Sequence, residues 1–297
     1  MKKVCGLLAI GFLILCFLSS CEKVNLPDET KNEVVDGVNL ILYVKPLEKL
    51  SYGPKKVKTR AAVPIGDVCK RLQLGIFQNG TKVATVSQTN DKDDFGLFTL
   101  SLAKGRYQIV VIAHNGEGGA TLTSPTSIKF HKNKVTDTFY YYDELDVEDN
   151  RRQELVLKRC VAKFVLSIED ALPSALAQME FKYTGGSSTF DAVAGMGNVH
   201  SRQTEIRAVS REMTGQPGKF EIYTFPRTDS HGLNITVTAQ EAGGAVLAEK
   251  TFAEVDVKVN TISEYVGTFF GGFVDAHSPE FRLMADTVWR RQPIVRF

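Results

Sequence analysis

Leu233-Asn234-Ile235-Thr236-Val237-Thr238-Ala239-Gln240 places an apolar side chain at every second position and a polar one between. Successive side chains of a strand point to opposite faces, so this run describes a β-strand with one dry and one wet face. The same period recurs on either side. Val255, Val257 and Val259 alternate with Asp256, Lys258 and Asn260, and Ala162, Phe164, Leu166 and Ile168 are set against Lys163 and Ser167. Such strands fit antiparallel sheets that are solvated on one face. Tyr107-Gln108-Ile109-Val110-Val111-Ile112-Ala113 is apolar on both faces and suits the middle of a sheet. Asn79-Gly80 separates the strand-like runs 72–77 and 83–86, a strong hairpin signal, and Gly243-Gly244 separates another pair. The one helical candidate runs from Leu172 to Met179, with Pro173 near its start. The chain reads as all-β.

A length of 297 residues suggests about two domains. Strands at spacings of roughly 8–12 residues favour sandwiches, and no internal repeat of fixed length is present. Between Tyr142 and Gln153 the chain turns polar and charged, which places a domain boundary there. The expected organisation is an N-terminal β-sandwich over 37–145, a C-terminal β-sandwich over 153–272, and a tail over 273–297. A composition that is 43% hydrophobic and 24% charged is an ordinary globular balance. Eighteen Phe, nine Tyr and one Trp supply a core in each half, so no metal or disulfide scaffold is required.

The first residues read as a targeting signal. Lys2 and Lys3 precede an apolar run from Leu7 to Leu18, too short to span a bilayer but the right length for the core of a secretory signal. It ends in Leu18-Ser19-Ser20-Cys21, which resembles a bacterial lipobox, with cleavage between Ser20 and Cys21 and a diacylglyceryl group on the Cys21 thiol. Residues 1–20 are then a lipoprotein signal peptide, and 21–36, polar and containing Pro27, a flexible tether. Cleavage removes Lys2 and Lys3, so the 36 basic side chains become 34 against 34 acidic ones. The mature chain is formally neutral, and only the lipid can hold it at a bilayer. One acyl chain gives marginal binding; the two or three of a lipoprotein make release negligible. The mature chain is expected to be lipid-anchored in the bacterial envelope. The formal charge of +2 on the whole chain is too weak to attract polyanions, which argues against nucleic acid as a partner.

With Cys5 and Cys16 discarded and Cys21 acylated, Cys69 and Cys160 remain, one in each half. A disulfide between them would join the halves, and the envelope permits one; in strand-like runs, buried free thiols are the commoner outcome. Enzyme signatures fail in turn. There is no Gly-x-Ser-x-Gly elbow and no His-Glu-x-x-His, and Gly215-Gln216-Pro217-Gly218-Lys219 has the wrong spacing for a phosphate loop. His114, His131, His200, His231 and His277 lack ligand spacing, so neither a metal nor a cofactor is expected. Asp91-Lys92-Asp93-Asp94-Phe95-Gly96 starts like a calcium loop, but Phe95 occupies a ligand position and Leu102 stands where a bidentate Glu belongs. An acidic hairpin tip fits it better. Arg60, among Lys55, Lys56 and Lys58, is either a site for an arginine-specific protease or part of a solvated loop. Trp289 with Arg290 and Arg291 is either a partner contact or a cap on the second sandwich.

Several stretches in order resemble one family. They are Gly105-Arg106-Tyr107 through His114-Asn115, Leu155-Val156-Leu157-Lys158-Arg159-Cys160-Val161-Ala162-Lys163-Phe164, Phe181 to Asp191, Tyr223-Thr224-Phe225-Pro226, and Val259 to Phe270. Together with the lipobox and tether, they are similar to the FimB-like fimbrial subunit family, the anchor and accessory lipoproteins of fimbrillin-type (type V) pili. The resemblance touches most of residues 68–270. It implies two tandem transthyretin-like β-sandwich domains, no catalysis, fimbrial structural subunits as partners, and assembly by strand insertion. On that reading the chain is lipid-anchored in the outer membrane and exposed at the cell surface with the fimbrium, which it attaches there and limits in length. The rival reading is a surface lipoprotein adhesin that binds host glycan or protein, with Trp289 or Tyr140, Tyr141 and Tyr142 as a stacking platform. Consecutive strand residues alternate in direction, so only Tyr140 and Tyr142 could share a face.

Overall fold

A computed structural model describes residues 37–48 and 62–271, together with the backbone of 282–284. The first half supplies β1 (Val38–Val44), β2 (Leu47–Glu48), β3 (Ala62–Val63), the one-turn helix α1 (Ile65–Val68), β4 (Arg71–Gln78), β5 (Thr81–Thr89), β6 (Leu97–Leu102), β7 (Gly105–His114), β8 (Thr121–Ser124), β9 (Ser127–Lys129), β10 (Thr138–Val147), β11 (Arg151–Leu155) and β12 (Lys158–Arg159). The second half supplies β13 (Ala162–Ile168), β14 (Gln178–Thr184), β15 (Thr189–Asp191), β16 (Met196–Gly197), β17 (Gln203–Ala208), β18 (Gly218–Thr224), β19 (Leu233–Gln240), β20 (Val246–Val255), β21 (Ile262–Gly267) and β22 (Arg282–Met284). The fold is all-β, as the alternation predicts.

In the first half a sheet ordered β11-β1-β6 faces one ordered β12-β10-β7-β4-β5. Leu40 and Leu42 of β1, Leu72 and Leu74 of β4, and Ile109 and Val111 of β7 fill the core between them. In the second half, β18-β13-β21-β22 faces β17-β14-β19-β20 around Phe164, Phe181, Ile235 and Val237. The quoted run 233–240 is β19, with Leu233, Ile235, Val237 and Ala239 buried as the period requires. Asn79 (φ 51°) and Gly80 (φ 78°) make the two-residue turn between β4 and β5. Both residues are left-handed, which is the geometry that matches strand twist in a tight hairpin and the reason for this residue pair.

A third core joins the halves. Val110 and Ile112 on the far face of β7 pack with Phe130 from the first half and with Val165, Phe190 and Phe225 from the second. A small sheet ordered β16-β15-β9-β8 covers it, and in that sheet β9 pairs with β15, Ile128 opposite Phe190. The Phe190 and Phe225 rings lie 5.0 Å apart and Phe130 and Phe225 5.2 Å apart.

Two expectations change. The charged stretch before Gln153 does not separate the halves, because β11 follows it and pairs with β1, and Leu155 and Leu157 lie in the first core. A solvated turn between strands has the same composition as a linker, and the chain leaves the first sandwich only after Leu157. The segment Leu172–Met179 is not a helix. The N–H of Leu172 donates to the Gln216 carbonyl and its own carbonyl accepts from Gly215, so the neighbouring turn takes the backbone groups a helix would use. The α-helix of the described residues is α1, which follows Pro64.

His114 ends β7 fully buried. Its Nε2 lies 2.9 Å from Gln73 Oε1, and its Nδ1 accepts the Gly116 N–H at 3.0 Å. A neutral ring with the proton on Nε2 satisfies both bonds. Burial, helped by the charge of Arg71, pushes its pKa down from 6.5 to about 4. The folded state therefore holds the proton more weakly than the unfolded chain. The contribution is complete above pH 6.5 and is lost as pH falls from there to about 4; it amounts to about 3 kcal/mol. Urea titrations across that window should show the loss, and His114→Gln should flatten the slope. A second expectation follows from the shared core. Phe190→Ala should cost about 3–5 kcal/mol and leave one cooperative transition reporting on both halves; two separate transitions in calorimetry of the parent chain would contradict it.

Candidate functional site

With no catalytic motif in the sequence, the features of the fold that could engage a partner are its strand edges. β1 lies between two partners, parallel to β11 from Leu40 opposite Arg151 to Val44 opposite Leu155, and antiparallel to β6 from Val38 opposite Leu102 to Tyr43 opposite Leu97. Val38, Leu40 and Leu42 point into the core, and Asn39, Ile41 and Tyr43 point away from it. On the outer face the side chains tie β1 to β11. The Tyr43 hydroxyl donates to the Glu154 carboxylate, Lys45 Nζ lies 2.8 Å from the same group, and the Arg152 guanidinium sits 4.9 Å from the centre of the Tyr43 ring. These partners hold the Glu154 carboxyl below its ordinary pKa, Lys45 first and Tyr43 next.

The sheet edges differ in how they are protected. On β17, Lys134 donates to the Thr204 carbonyl and Arg207 to that of Ile206. Arg207 also reaches β18, where its Nε donates to the Glu221 carbonyl at 3.0 Å. Cations on an edge of this kind discourage strand addition. β20 is bulged near Glu254 (φ 52°). β21 is covered by β22 of the tail, antiparallel, with Tyr265 opposite Leu283. β5 is different: nine residues long, with Lys82 its one charge, it pairs with β4 and with no other strand among the described residues.

The junction is pinned by Arg159. Its Nε and one terminal nitrogen grip the Asp137 carboxylate at 2.7 and 2.9 Å, while the other donates to Asn260 Oδ1 of the second half at 3.1 Å. The guanidinium carbon stands 4.6 Å from the centre of the Phe139 ring. A planar fork meets a carboxylate at two points, which lysine could not do.

Several of the expected site residues fall outside this framework. Ser20 and Cys21 of the lipobox, Arg60 of the basic loop, and Trp289, Arg290 and Arg291 of the tail all lie outside the described residues. Cys69 and Cys160 are both buried free thiols, so the disulfide between the halves is not formed. Burial pushes the Cys69 thiol up to about 12 and raises Cys160 well above the usual range, with Asp137 adding to both. Tyr140 and Tyr142 pack against the shared core and Tyr141 against the first core, as strand alternation requires. Tyr140 meets the Phe190 ring edge-on at 4.9 Å, so these tyrosines serve packing. The acidic stretch Asp91–Gly96 is the turn between β5 and β6, held by Gln88, whose side chain accepts the Gly96 N–H at 2.9 Å and donates to the Leu97 carbonyl at 2.8 Å. Among the described residues no group of three or more His, Cys, Asp or Glu stands close enough together to hold a metal ion.

The family model of the Fimbrillin-A associated anchor proteins Mfa1 and Mfa2 matches residues 56–265. The chain belongs to this family. It is thus a fimbrial accessory protein. Sequence comparison with curated proteins finds no match. Among solved structures, a candidate adhesin from Bacteroides ovatus is 10% identical with a TM-score of 0.51, over 84% of this chain and 93% of that one. A candidate polysaccharide-binding protein from Bacteroides thetaiotaomicron is 10% identical with a TM-score of 0.50, over 86% and 98%. The fimbrial anchor protein Mfa2 from Porphyromonas gingivalis is 10% identical with a TM-score of 0.45, over 84% and 98%. The first two likenesses show a shared fold.

The stretches that resemble the fimbrial family have structural work to do. The Tyr107 hydroxyl donates to the Ala103 carbonyl at 2.8 Å, fixing the start of β7. Asn115 at its end donates to the Val68 carbonyl at 2.7 Å and accepts the Lys70 N–H at 3.1 Å, tying α1 to the sheet. Arg159 lies in another of these stretches, and an Arg directly before a buried run is the only signal of its role that the sequence carries. In a chain beginning at residue 22, both remaining thiols should resist a thiol reagent in the native state and react at once in denaturant. Rapid native labelling of either would contradict their burial.

Proposed function

We propose that this chain is a non-catalytic, lipid-anchored fimbrial subunit that attaches the fimbrium to the outer membrane and limits its length. The observation that carries the reading is the family match over residues 56–265, joined to a sequence that opens with a lipobox at Cys21. A subunit fastened to a bilayer by acyl chains can add to only one end of a polymer, so it terminates growth there. Strand complementation would supply the grip: an extended segment of a pilin adds to a sheet edge, with backbone bonds giving affinity and alternate side chains giving register. The open outer edge of β5 supports this, since the edges of β17 and β18 are blunted by cations. The adhesin reading loses its tyrosine platform, because Tyr140, Tyr141 and Tyr142 are engaged in packing.

Cells that lack the chain should shed long fimbriae into the medium, and electron microscopy of cells and supernatant would show it; unchanged length and attachment would overturn the proposal. Cys21→Ser should abolish fatty-acid labelling and move the protein from the envelope fraction to the soluble one.

A further inference from the structure

The pairing of β1 with β11 fixes the direction in which the fold resists a pull. Both strands run the same way, so β1 starts at the end of the sheet where β11 starts, and ends where β11 ends. The chain before β1 leads back towards Cys21. The chain after β11 leads through β12, which pairs with the Phe139 and Tyr140 end of β10, into the second sandwich. The point where the chain enters β1 and the point where it leaves β11 for the second sandwich are therefore at opposite ends of the first sheet. The component of a pull between those points that lies along the axis of β1 shears β1 against β11. The backbone bonds to β11 and β6 run across that axis, so they are loaded together and not one after another. With an antiparallel β1 and β11, the same two attachments would leave from one end and the pair would open like a zip.

The side chains oppose sliding as well. Moving β1 by one residue would turn Asn39 and Tyr43 into the core and expose Val38, Leu40 and Leu42, because strand faces alternate. Asn39 N–H also donates to Asn150 Oδ1 at 2.8 Å, and Lys45 N–H to the Leu155 carbonyl at 2.9 Å, closing both ends of the pair.

We propose that β1 is a shear clamp, a load-bearing strand that keeps the body attached to its tether under tension. Its use in the cell rests on the anchor reading; its mechanics do not. The test is single-molecule pulling on the chain from residue 21 onward, with one handle at Cys21. The second handle is placed at Val246→Cys, on the exposed start of β20 in the second sandwich, or at Asp149→Cys, in the turn beside the start of β1. The first arrangement shears β1 and the second peels it. Rupture should need more force in the first, because its bonds break together. Equal forces, or a weaker first arrangement, would overturn the clamp. Because the measurement needs no fimbriae, a clamp that holds while cells lacking the chain keep normal fimbriae would sink the anchor reading alone.

Discussion

β7 has two apolar faces, and the rest of the molecule is arranged to keep both dry. Tyr107, Ile109, Val111 and Ala113 face the first core, while Val110 and Ile112 face the core shared with the second half. A strand of this kind cannot lie on a surface, since each buried Val or Ile contributes about 1.5–3 kcal/mol. The second half is thereby needed by the first. The small sheet that pairs β9 with β15 closes over the contact and satisfies its backbone groups.

The junction has little room to move. A Cβ on Gly197 would lie 2.4 Å from Ser187 Cβ and 2.9 Å from the Phe225 carbonyl oxygen, so only glycine allows β16 to approach so closely. Arg159 adds a polar pin at the edge of the same contact, holding Asp137 and Asn260 from either side. Packing of this density transmits displacement instead of absorbing it.

The elements with local signals are legible in the sequence. Period two marks β19, the double apolar face marks β7, and Asn79-Gly80 marks the hairpin. What period two does not carry is the identity of a strand's neighbour. Nothing local says that β1 pairs with β11, or that Phe190 meets Ile128. The charged run before Gln153 misleads for a related reason, since a solvated turn and a domain linker share a composition. The family resemblance is legible as an order of weak motifs, and the structure gives several of them packing roles. The residues on which lipidation, proteolysis and the tail contact depend fall outside the described framework, so those readings stay with the sequence.

The parallel pair at the start of the chain is costly to close, and burial offsets that cost. Tyr43 and Glu154, which it brings together, are 111 residues apart. Closing a loop of that length costs about 3 kcal/mol more than closing a four-residue hairpin. Burying Val38, Leu40 and Leu42 contributes about 1.5–3 kcal/mol for each, which offsets the closure cost. A hairpin in the same place would close more easily, but both of its outer ends would leave from one side. The long-range parallel pairing is the arrangement that puts the start of β1 and the end of β11 at opposite ends of one sheet.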